Sequence, residues 1–406
     1  MPLTGELLGR SRINGGLMRC NCTRREWLAA LGATAAGTLL RPLAARADDL
    51  PTAPVAVAKC RTYGSELLPA LETMFDQLGG LEGLVKGKTV VVKPNMVNAP
   101  WVRLGDAPVE LSHWTHPAVL GATVHLLGRA GARRIRIVEC ADAGAEPLEE
   151  IMGWAAWDVN ALRNAAPDVE FENGDGLGSG SSYSRLVCPS GGHIFPAFDV
   201  NHSYTDCDVF VSLPKMKEHG AFGVTLSMKN CYGMTPVTIY GEGAGVDEPS
   251  TTVSGTRASV FHNGSRAPSK SAPQEIDPNS PRDGGYRLPR IIADIVSARP
   301  VHLAVIDGIE SMAGGEGPWR PNARRVSPGL LVAGLNPVTT DAVTMALMGF
   351  DPMADRGAAP FENSDSFLRF AEELGLGTRD LKRIEVLGAS IEEARFDYRS
   401  AGLTPP

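Results

Sequence analysis

A cluster of basic and polar side chains follows directly after an apolar run that ends near Leu213. The cluster contains Lys215, Lys217, His219, Lys229 and Asn230. Ammonium groups at the exit of a buried strand cost desolvation energy unless an anion meets them. A desolvated lysine among other cations can also have its pKa lowered until it acts as a base or a nucleophile. The cluster therefore predicts a site for a small anion, with Lys215, Lys217 and His219 as its catalytic groups.

Two segments earlier in the chain carry further polar side chains suited to substrate binding. Lys93 and Asn95 come directly after the apolar run 89–92. Thr115 and His116 precede Pro117, a residue favoured at the first position of a helix. At these two positions, capping of the helix and contact with a substrate are open alternatives.

The segment that follows His219 predicts a second kind of anion contact. Gly223 and Thr225 are expected to lead into a helix whose first backbone N–H groups would face an anion. Thr225 and Lys229 would then lie one turn apart on the same face of that helix. The predicted substrate-binding residues are therefore Lys93, Asn95, Thr115, His116, Thr225, Lys229 and Asn230.

Acidic side chains form a separate set, for which two interpretations remain open. Asp307, Glu316 and Glu139 could supply oxygen ligands to a divalent ion such as Mg²⁺ or Mn²⁺. The same carboxylates could instead pair with the lysines and need no metal. A divalent metal ion is therefore one possible cofactor, and the cofactor is otherwise unknown.

Short, continuous apolar runs alternate with helical periods along the chain. Runs of this kind are typical of strands buried on both faces. They occupy residues 54–58, 89–92, 134–138, 208–211, 301–306 and 329–333, and the helical periods occupy 66–78, 117–130, 286–298 and 337–348. The alternation predicts an α/β fold with a mostly parallel, doubly wound sheet, helices on both faces and long irregular insertions.

The ends of the predicted strands carry polar residues. Lys93, Glu139, Lys215, Asp307 and Asn336 each follow a different apolar run. The carboxyl ends of parallel strands meet at one edge of a sheet, and ligands bind in the crevice outside that edge. The sequence therefore predicts one shared site built from five strand ends.

Residues 48–406 are expected to form one large α/β domain. Segment 239–285 interrupts its pattern, because it is rich in Gly, Pro, Ser and Thr and has almost no apolar periodicity. A segment this long is typical of a functional flap or of a disordered insertion. The first alternative is favoured slightly, because the segment leaves from the Lys229–Gly233 region.

The first 47 residues resemble a twin-arginine export signal. Thr23-Arg24-Arg25-Glu26-Trp27-Leu28 precedes an apolar run to Leu40, which is shorter than the ~20 residues that span a bilayer. Ala45-Arg46-Ala47 then has the pattern of a cleavage site. The sequence predicts cleavage after Ala47 and a periplasmic or otherwise exported bacterial protein, which meets the twin-arginine translocase during export and keeps no membrane anchor.

Charge and cysteine content exclude several classes of function. The formal net charge is −7, and segment 1–47 carries seven Arg and two Glu, so residues 48–406 carry −12. Nucleic-acid binding is not expected from such an acidic chain. The five cysteines after the signal form no C-x-x-C pair, which argues against an iron–sulfur cluster or a zinc ribbon. The odd count allows up to two disulfides and one free thiol, and buried, inert thiols are favoured over this alternative.

Several of these motifs together resemble the domain of unknown function 362 family, over about 90–348. The motifs are Lys93-Pro-Asn95, Thr115-His-Pro117, Leu213-Pro-Lys-Met-Lys-Glu-His219, Thr225-x-x-x-Lys-Asn230, Asp307-Gly308, Glu316-Gly-Pro318 and Asp341-Ala342. Many relatives also carry ferredoxin-like cysteine runs, which this chain lacks. The resemblance implies a shared fold unit and site but assigns no reaction.

Three hypotheses about function follow. The first is an exported enzyme that uses lysine and histidine acid–base chemistry on a small carboxylate or phosphate, as an isomerase, lyase or transferase. The second is a periplasmic binding protein or carrier that holds an anion or a metallo-cofactor without transforming it. The third, a structural or interaction role, leaves the polar strand ends unexplained.

Overall fold

The computed structural model describes residues 49–141 and 144–401, which belong to one compact unit. The predicted export signal, residues 1–47, lies outside the described residues. Within the described residues the strands are β1 (Val55–Lys59), β2 (Thr89–Pro94), β3 (Arg134–Glu139), β4 (Val169–Asn173), β5 (Ser184–Val187), β6 (Ala197–Val200), β7 (Val209–Leu213), β8 (Lys217–His219), β9 (Gly223–Thr225), β10 (Leu303–Gly308), β11 (Ser311–Ala313), β12 (Arg324–Val326), β13 (Leu330–Gly334) and β14 (Val386–Gly388).

Helices lie in five of the thirteen connections between these strands, and several begin at residues that cap them. The helices are α1 (Leu67–Gln77), α2 (Glu82–Val85), α3 (Pro117–Arg129), α4 (Leu148–Trp154), α5 (Val159–Arg163), α6 (Ser227–Asn230), α7 (Val237–Tyr240), α8 (Ala258–Phe261), α9 (Gly284–Ala298), α10 (Pro337–Leu347), α11 (Phe367–Glu373) and α12 (Ile391–Ala394). Short 3-10 turns lie at Val109–Leu111, His202–Tyr204, Cys231–Met234 and Leu381–Arg383. The side chain of Asn336 accepts hydrogen bonds from two backbone N–H groups of α10, with Pro337 at its first position.

The main sheet has eight strands in the order β14, β1, β13, β10, β7, β2, β3, β4. Its central pairs, β10 with β7, β7 with β2, β2 with β3 and β3 with β4, are parallel. Strand β13 is antiparallel to both of its neighbours, β1 and β10. The predicted α/β fold with a mostly parallel sheet is therefore confirmed, with one reversed strand inside it.

Both faces of this sheet are covered, so the side chains of one strand enter two separate cores. Val90 and Val92 of β2 belong to the core that packs against α1 and α3, whereas Val91 belongs to the core beneath α9 and α10. All three valines are fully buried. This burial on both sides explains why β2 is apolar at successive positions rather than at alternating ones.

The direction of β13 corrects one prediction about the site. Because β13 is antiparallel to β10, its end lies at the opposite edge of the sheet from the ends of β2, β3, β7 and β10. Asn336 therefore caps α10 on that opposite edge, where its Nδ2 also donates to the carbonyl of Leu376 at 2.8 Å. The shared edge is formed by four strand ends and not by five.

Segment 239–285 contains the end of α7, the whole of α8 and the start of α9, and it is otherwise made of turns and irregular structure. Ile276 N donates to the carbonyl of Ile194 at 3.0 Å, and Ser269 Oγ donates to the carbonyl of Gly245 at 2.7 Å. Glu275 forms a 2.5 Å ion pair with the buried Arg287 of α9. These contacts fix the segment against the sheet domain.

Candidate functional site

A cavity of about 410 Å³ lies at the edge of the sheet where β2 and β3 end. Nine of the predicted site residues line it: Lys93, Asn95, Glu139, Lys217, His219, Thr225, Lys229, Asn230 and Glu316. Segment 239–285 contributes residues 255–258 and His262 to the same wall. The volume is in the range of pockets that hold small organic molecules.

The ends of β2 and β3 form one wall of the cavity through a buried ion pair. Lys93 Nζ lies 2.6 Å from Glu139 Oε1, and both side chains are almost fully buried. Glu139 also accepts hydrogen bonds from the backbone N–H groups of Met96 and Cys140, at 3.1 and 2.9 Å. Burial raises the pKa of Glu139, and the Lys93 ammonium opposes that rise. This wall is fixed and nearly neutral.

Asn230 and Asn95 complete that wall in different ways. The Asn230 amide donates to the carbonyl of Lys93 at 3.0 Å and to Ser212 Oγ at 3.1 Å, which joins α6 to strands β2 and β7. Asn95 Oδ1 is buried and has no hydrogen-bond partner among the described residues. Buried polar atoms are normally paired. Asn95 Oδ1 is therefore a free acceptor on the cavity wall.

Lys217 differs from the buried lysines Lys93 and Lys215 because it has no carboxylate partner among the described residues. Its side chain is 1 % exposed, and within the described chain Nζ donates one hydrogen bond, to the backbone carbonyl of Glu316 at 2.9 Å. Burial, and then the nearby charge of Lys229, lower the pKa of Lys217 to about 7. A large share of Lys217 is therefore a neutral amine at neutral pH.

His219 and Glu316 lie beside Lys217 on the same wall. Burial, followed by the charges of Lys229 and Lys217, lowers the pKa of His219 well below 6.5, so its ring is neutral at neutral pH. Its Nδ1 is 3.6 Å from Glu316 Oε2. Glu316 also accepts hydrogen bonds from Gly220 N at 3.0 Å and Trp319 Nε1 at 3.1 Å, which connect the 314–322 loop to the β8–β9 turn.

A group of cationic and aromatic residues also lines the cavity. Lys229 Nζ and the Arg257 guanidinium carbon lie 5.0 and 5.1 Å from the centre of the Tyr232 ring. The His262 ring is 6.0 Å from the same ring, and its pKa is lowered to about 3 by burial and by the charges of Lys229 and Arg257. Two cations and a neutral imidazole therefore share one aromatic platform.

Four predicted site residues lie outside this wall: Lys215, Thr115, His116 and Asp307. Lys215 is fully buried, and its Nζ donates to Asp307 Oδ2 at 2.7 Å and to the carbonyls of Glu110 and Glu310 at 2.8 and 2.9 Å. Three acceptors saturate an ammonium group. Burial lowers the pKa of Lys215, and Asp307 opposes that change.

Thr115 and His116 hold the loop that follows β2. Thr115 Oγ1 donates to the carbonyl of Leu213 at 2.7 Å and accepts from Asn95 N at 2.8 Å. His116 is the N-cap of α3, and its backbone N donates to Asp307 Oδ2 at 2.9 Å. His116 therefore caps α3, whereas Thr115 connects the loop after β2 to the end of β7. Contact of either residue with a substrate stays a prediction.

The possible metal ligands are not brought together. Glu139 pairs with Lys93, Asp307 pairs with Lys215, and Glu316 contacts His219 and Arg320. Across residues 49–141 and 144–401, no group of three or more His, Cys, Asp or Glu side chains is arranged to hold a metal ion. The three carboxylates therefore do not form one donor set, because each has a different cationic neighbour.

The expected helix start after Gly223 is also different in the structure. Gly223–Thr225 is strand β9, and α6 begins only at Ser227, so Thr225 and Lys229 do not share a helix face. The first backbone N–H groups of α6 already donate to the buried carboxylate of Asp341, at 2.8 and 2.9 Å. They are therefore not available to an anion, although Thr225 and Lys229 both line the cavity.

Sequence reasoning missed the site residues Tyr232, Arg257, His262 and Trp319. Arg257 and His262 come from the irregular segment, whose lack of periodicity hides which side chains are buried. The sequence feature that comes closest to predicting these residues is that the segment directly follows the Lys229–Gly233 region.

The described cysteines, Cys60, Cys140, Cys188, Cys207 and Cys231, are free and buried.

Within the described residues, no helix is long and apolar enough to cross a membrane.

A family model described as "Domain of unknown function (DUF362)" matches residues 90–346. The chain is also 25 % identical over 300 residues to the thylakoid-associated protein sll1697 of Synechocystis sp.. The aligned residues cover 73 % of this chain and 75 % of that relative.

Two solved structures show a more distant likeness. One is the lactate racemase apoprotein from Thermoanaerobacterium thermosaccharolyticum, with 12 % identity, a TM-score of 0.35 and coverage of 69 % of this chain and 55 % of that one. The other is a protein from Thermotoga maritima, with 12 % identity, a TM-score of 0.31 and coverage of 78 % of this chain and 60 % of that one. The chain spans less than two thirds of either solved protein.

Proposed function

The chain belongs to the domain of unknown function 362 family, and because that name assigns no activity, we propose its function from the cavity itself. We propose an enzyme that uses lysine and histidine acid–base chemistry on a small anionic substrate, a carboxylate or a phosphate. The observation that carries this proposal is Lys217, a buried amine on the cavity wall without a carboxylate partner in the described chain.

Charge supports an anion as the ligand. Lys229 and Arg257 line the cavity beside Tyr232. Of the two glutamates in the cavity lining, Glu139 pairs with Lys93, and Glu316 accepts hydrogen bonds from Trp319 and the backbone of Gly220. Cations enclosed in a cavity attract an anion more strongly than cations in water, because the local dielectric constant is lower. We assign substrate binding to Lys229 and Arg257, with Asn95 Oδ1 accepting a hydrogen bond from the ligand.

The proton-transfer role fits Lys217 better than it fits the other lysines. A general base works best when its pKa is near the working pH, and the pKa of Lys217 is about 7. His219, a neutral imidazole beside it, would exchange protons with the same ligand. We assign Lys215 a structural role, because the hydrogen bonds of its ammonium group are taken up by Asp307 and two backbone carbonyls.

A ligand screen tests this proposal. Thermal unfolding would be followed with phosphate, mono- and dicarboxylates and neutral analogues, because a ligand of the folded state raises the melting temperature. We expect anions to stabilise the wild type and the Lys270→Met control, whose lysine is exposed and pairs with Asp247. Lys229→Met should lose the effect. Turnover of a stabilising anion supports an enzyme, whereas binding without turnover indicates the carrier alternative.

We also propose that the protein is exported by the twin-arginine route. The support is the Arg24-Arg25 motif with its apolar run and small-residue cleavage pattern. The variant Arg24→Lys with Arg25→Lys keeps the charge and removes the motif, and it should remain in the cytoplasmic fraction. The matched control is Arg10→Lys with Arg12→Lys, which lies in the same segment. Equal export of both variants would refute this route.

A further inference from the structure

Lys217 also has the surroundings of a covalent nucleophile. Its amine is buried on the cavity wall and, among the described residues, makes a single hydrogen bond, to the Glu316 carbonyl. The charge of Lys229 is close enough to lower the pKa of this amine. A neutral lysine amine beside another cation is the arrangement that activates lysine toward carbonyl carbon. The amine has further hydrogen-bonding capacity and a lone pair that no described carboxylate occupies.

We propose that Lys217 forms an imine with the carbonyl carbon of a small oxo acid, whose carboxylate is held by Lys229 and Arg257. This inference rests on the proposed function, and it narrows the substrate from any small anion to an anion with a ketone or aldehyde group. Lys229 and Arg257, beside the Tyr232 ring, hold the acid group, and the Lys217 amine, which lines the same cavity, reaches the carbonyl.

The chemistry balances without any further reagent. Lys217 Nζ adds to the carbonyl carbon, and one proton moves from nitrogen to the former carbonyl oxygen to give a carbinolamine. A second proton, supplied by a cationic group of the cavity such as Lys229, lets that oxygen leave as water. A carbon–nitrogen double bond then joins the substrate to Lys217 as a protonated iminium, and hydrolysis reverses each step.

The iminium would explain why two proton-accepting groups share one wall. Its positive charge draws electrons from the neighbouring carbon–hydrogen or carbon–carbon bond and so favours cleavage of that bond. His219 lies on the same wall as a neutral imidazole that can take the released proton. Lys217 is then the covalent group and His219 the proton acceptor, which assigns different tasks to the two residues.

Reductive trapping tests the imine directly. The full-length mature protein would be incubated with pyruvate, oxoglutarate or acetoacetate in the presence of cyanoborohydride, which reduces an iminium to a stable secondary amine. Matched acids without the ketone, namely lactate, glutarate and hydroxybutyrate, are the controls. Intact mass and peptide mapping should show one adduct at Lys217 with at least one oxo acid. Lys215, which is buried in its ion pair, is an internal control that should stay unmodified.

Two variants keep the test decisive. Lys217→Arg and Lys217→Met should lose the adduct while circular dichroism and melting curves show that both are folded. If oxo acids and their matched acids stabilise the wild type equally and no adduct forms, the imine is refuted while anion binding stands. An adduct at another lysine also refutes it. If neither these acids nor phosphate stabilises the protein and no acid is trapped, the proposed function fails as well.

Discussion

Replacing Lys217 by methionine should make the protein more stable while it removes the proposed chemistry. Lys217 is 1 % exposed, and in the described residues its amine has one backbone acceptor and no carboxylate partner. Methionine keeps a long, unbranched side chain in the same space and removes the group that is costly to charge. A gain in stability at a buried polar residue is therefore the signature of a site kept for function.

The size of this gain follows from the pKa of Lys217. The fall from 10.5 to about 7 means that charging the amine costs the folded state roughly 4 to 5 kcal/mol more than the unfolded state. The hydrogen bond to the Glu316 carbonyl contributes about 1 kcal/mol that the variant loses. Structural relaxation reduces the difference further, so we expect Lys217→Met to add about 2 kcal/mol to the free energy of unfolding at pH 7.

The pH dependence has a defined sign. Burial lowers the pKa of Lys217 in the folded state, so protonation of this amine destabilises the fold. This loss of stability is absent above pH 10.5, the pKa in the unfolded state, and is complete below about pH 7, the pKa in the folded state. The wild type should therefore lose stability relative to the variant as the pH falls through this window. Urea unfolding curves at pH 7 and pH 10 measure this difference, which should be smaller at pH 10.

The matched control is the same substitution two residues earlier. Lys215→Met leaves Asp307 buried without its 2.7 Å partner, so it should destabilise the protein by about 3 to 5 kcal/mol. The same Lys→Met substitution should therefore raise the free energy of unfolding at position 217 and lower it at position 215. A Lys217→Met variant that is less stable than the wild type at pH 7, or a difference that does not change with pH, would refute the reasoning.

Three other expectations follow from the same site. Glu139→Gln leaves Lys93 buried without its 2.6 Å carboxylate partner and should lower the free energy of unfolding by about 3 kcal/mol or more, measured by urea titration. Arg257→Met should weaken phosphate binding roughly tenfold, measured by calorimetry against Lys270→Met, because one charge-assisted contact contributes about 1.5 kcal/mol or more. The affinity for sulfate, which stays dianionic in this range, should rise as the pH falls from 8 to 6, since Lys217 gains its proton near pH 7. A sulfate affinity independent of pH would contradict this role.

Much of the fold could be predicted because burial on both faces leaves a direct mark in the sequence. The apolar runs at β2, β3 and β7 and the helix starts at Pro117 and Pro337 agree with the structure to within a few residues. Strand direction leaves no such mark. The run of β13 looks like that of a parallel strand, so only the structure shows that Asn336 lies at the other edge.

The site was predictable in its position but not in the division of tasks. Lys215 and Lys217 have the same side chain and lie two residues apart in the same segment. They differ in a partner that lies far along the chain, since Asp307 pairs with Lys215, whereas among the described residues Lys217 donates only to a backbone carbonyl. Arg257 and His262 join the cavity from an irregular segment, and no periodic pattern marks a residue that is buried there.

The cavity wall has a consequence for the order in which the protein can be assembled. Its cations come from the end of β2, from β8, from α6 and from segment 239–285, and the loop with Glu316 and Trp319 closes it. A growing chain has no complete cavity until synthesis has passed residue 319. Ligand binding therefore reports that most of the domain has finished folding, and C-terminal truncations before that point should bind nothing even if β2, β3 and β7 have already paired.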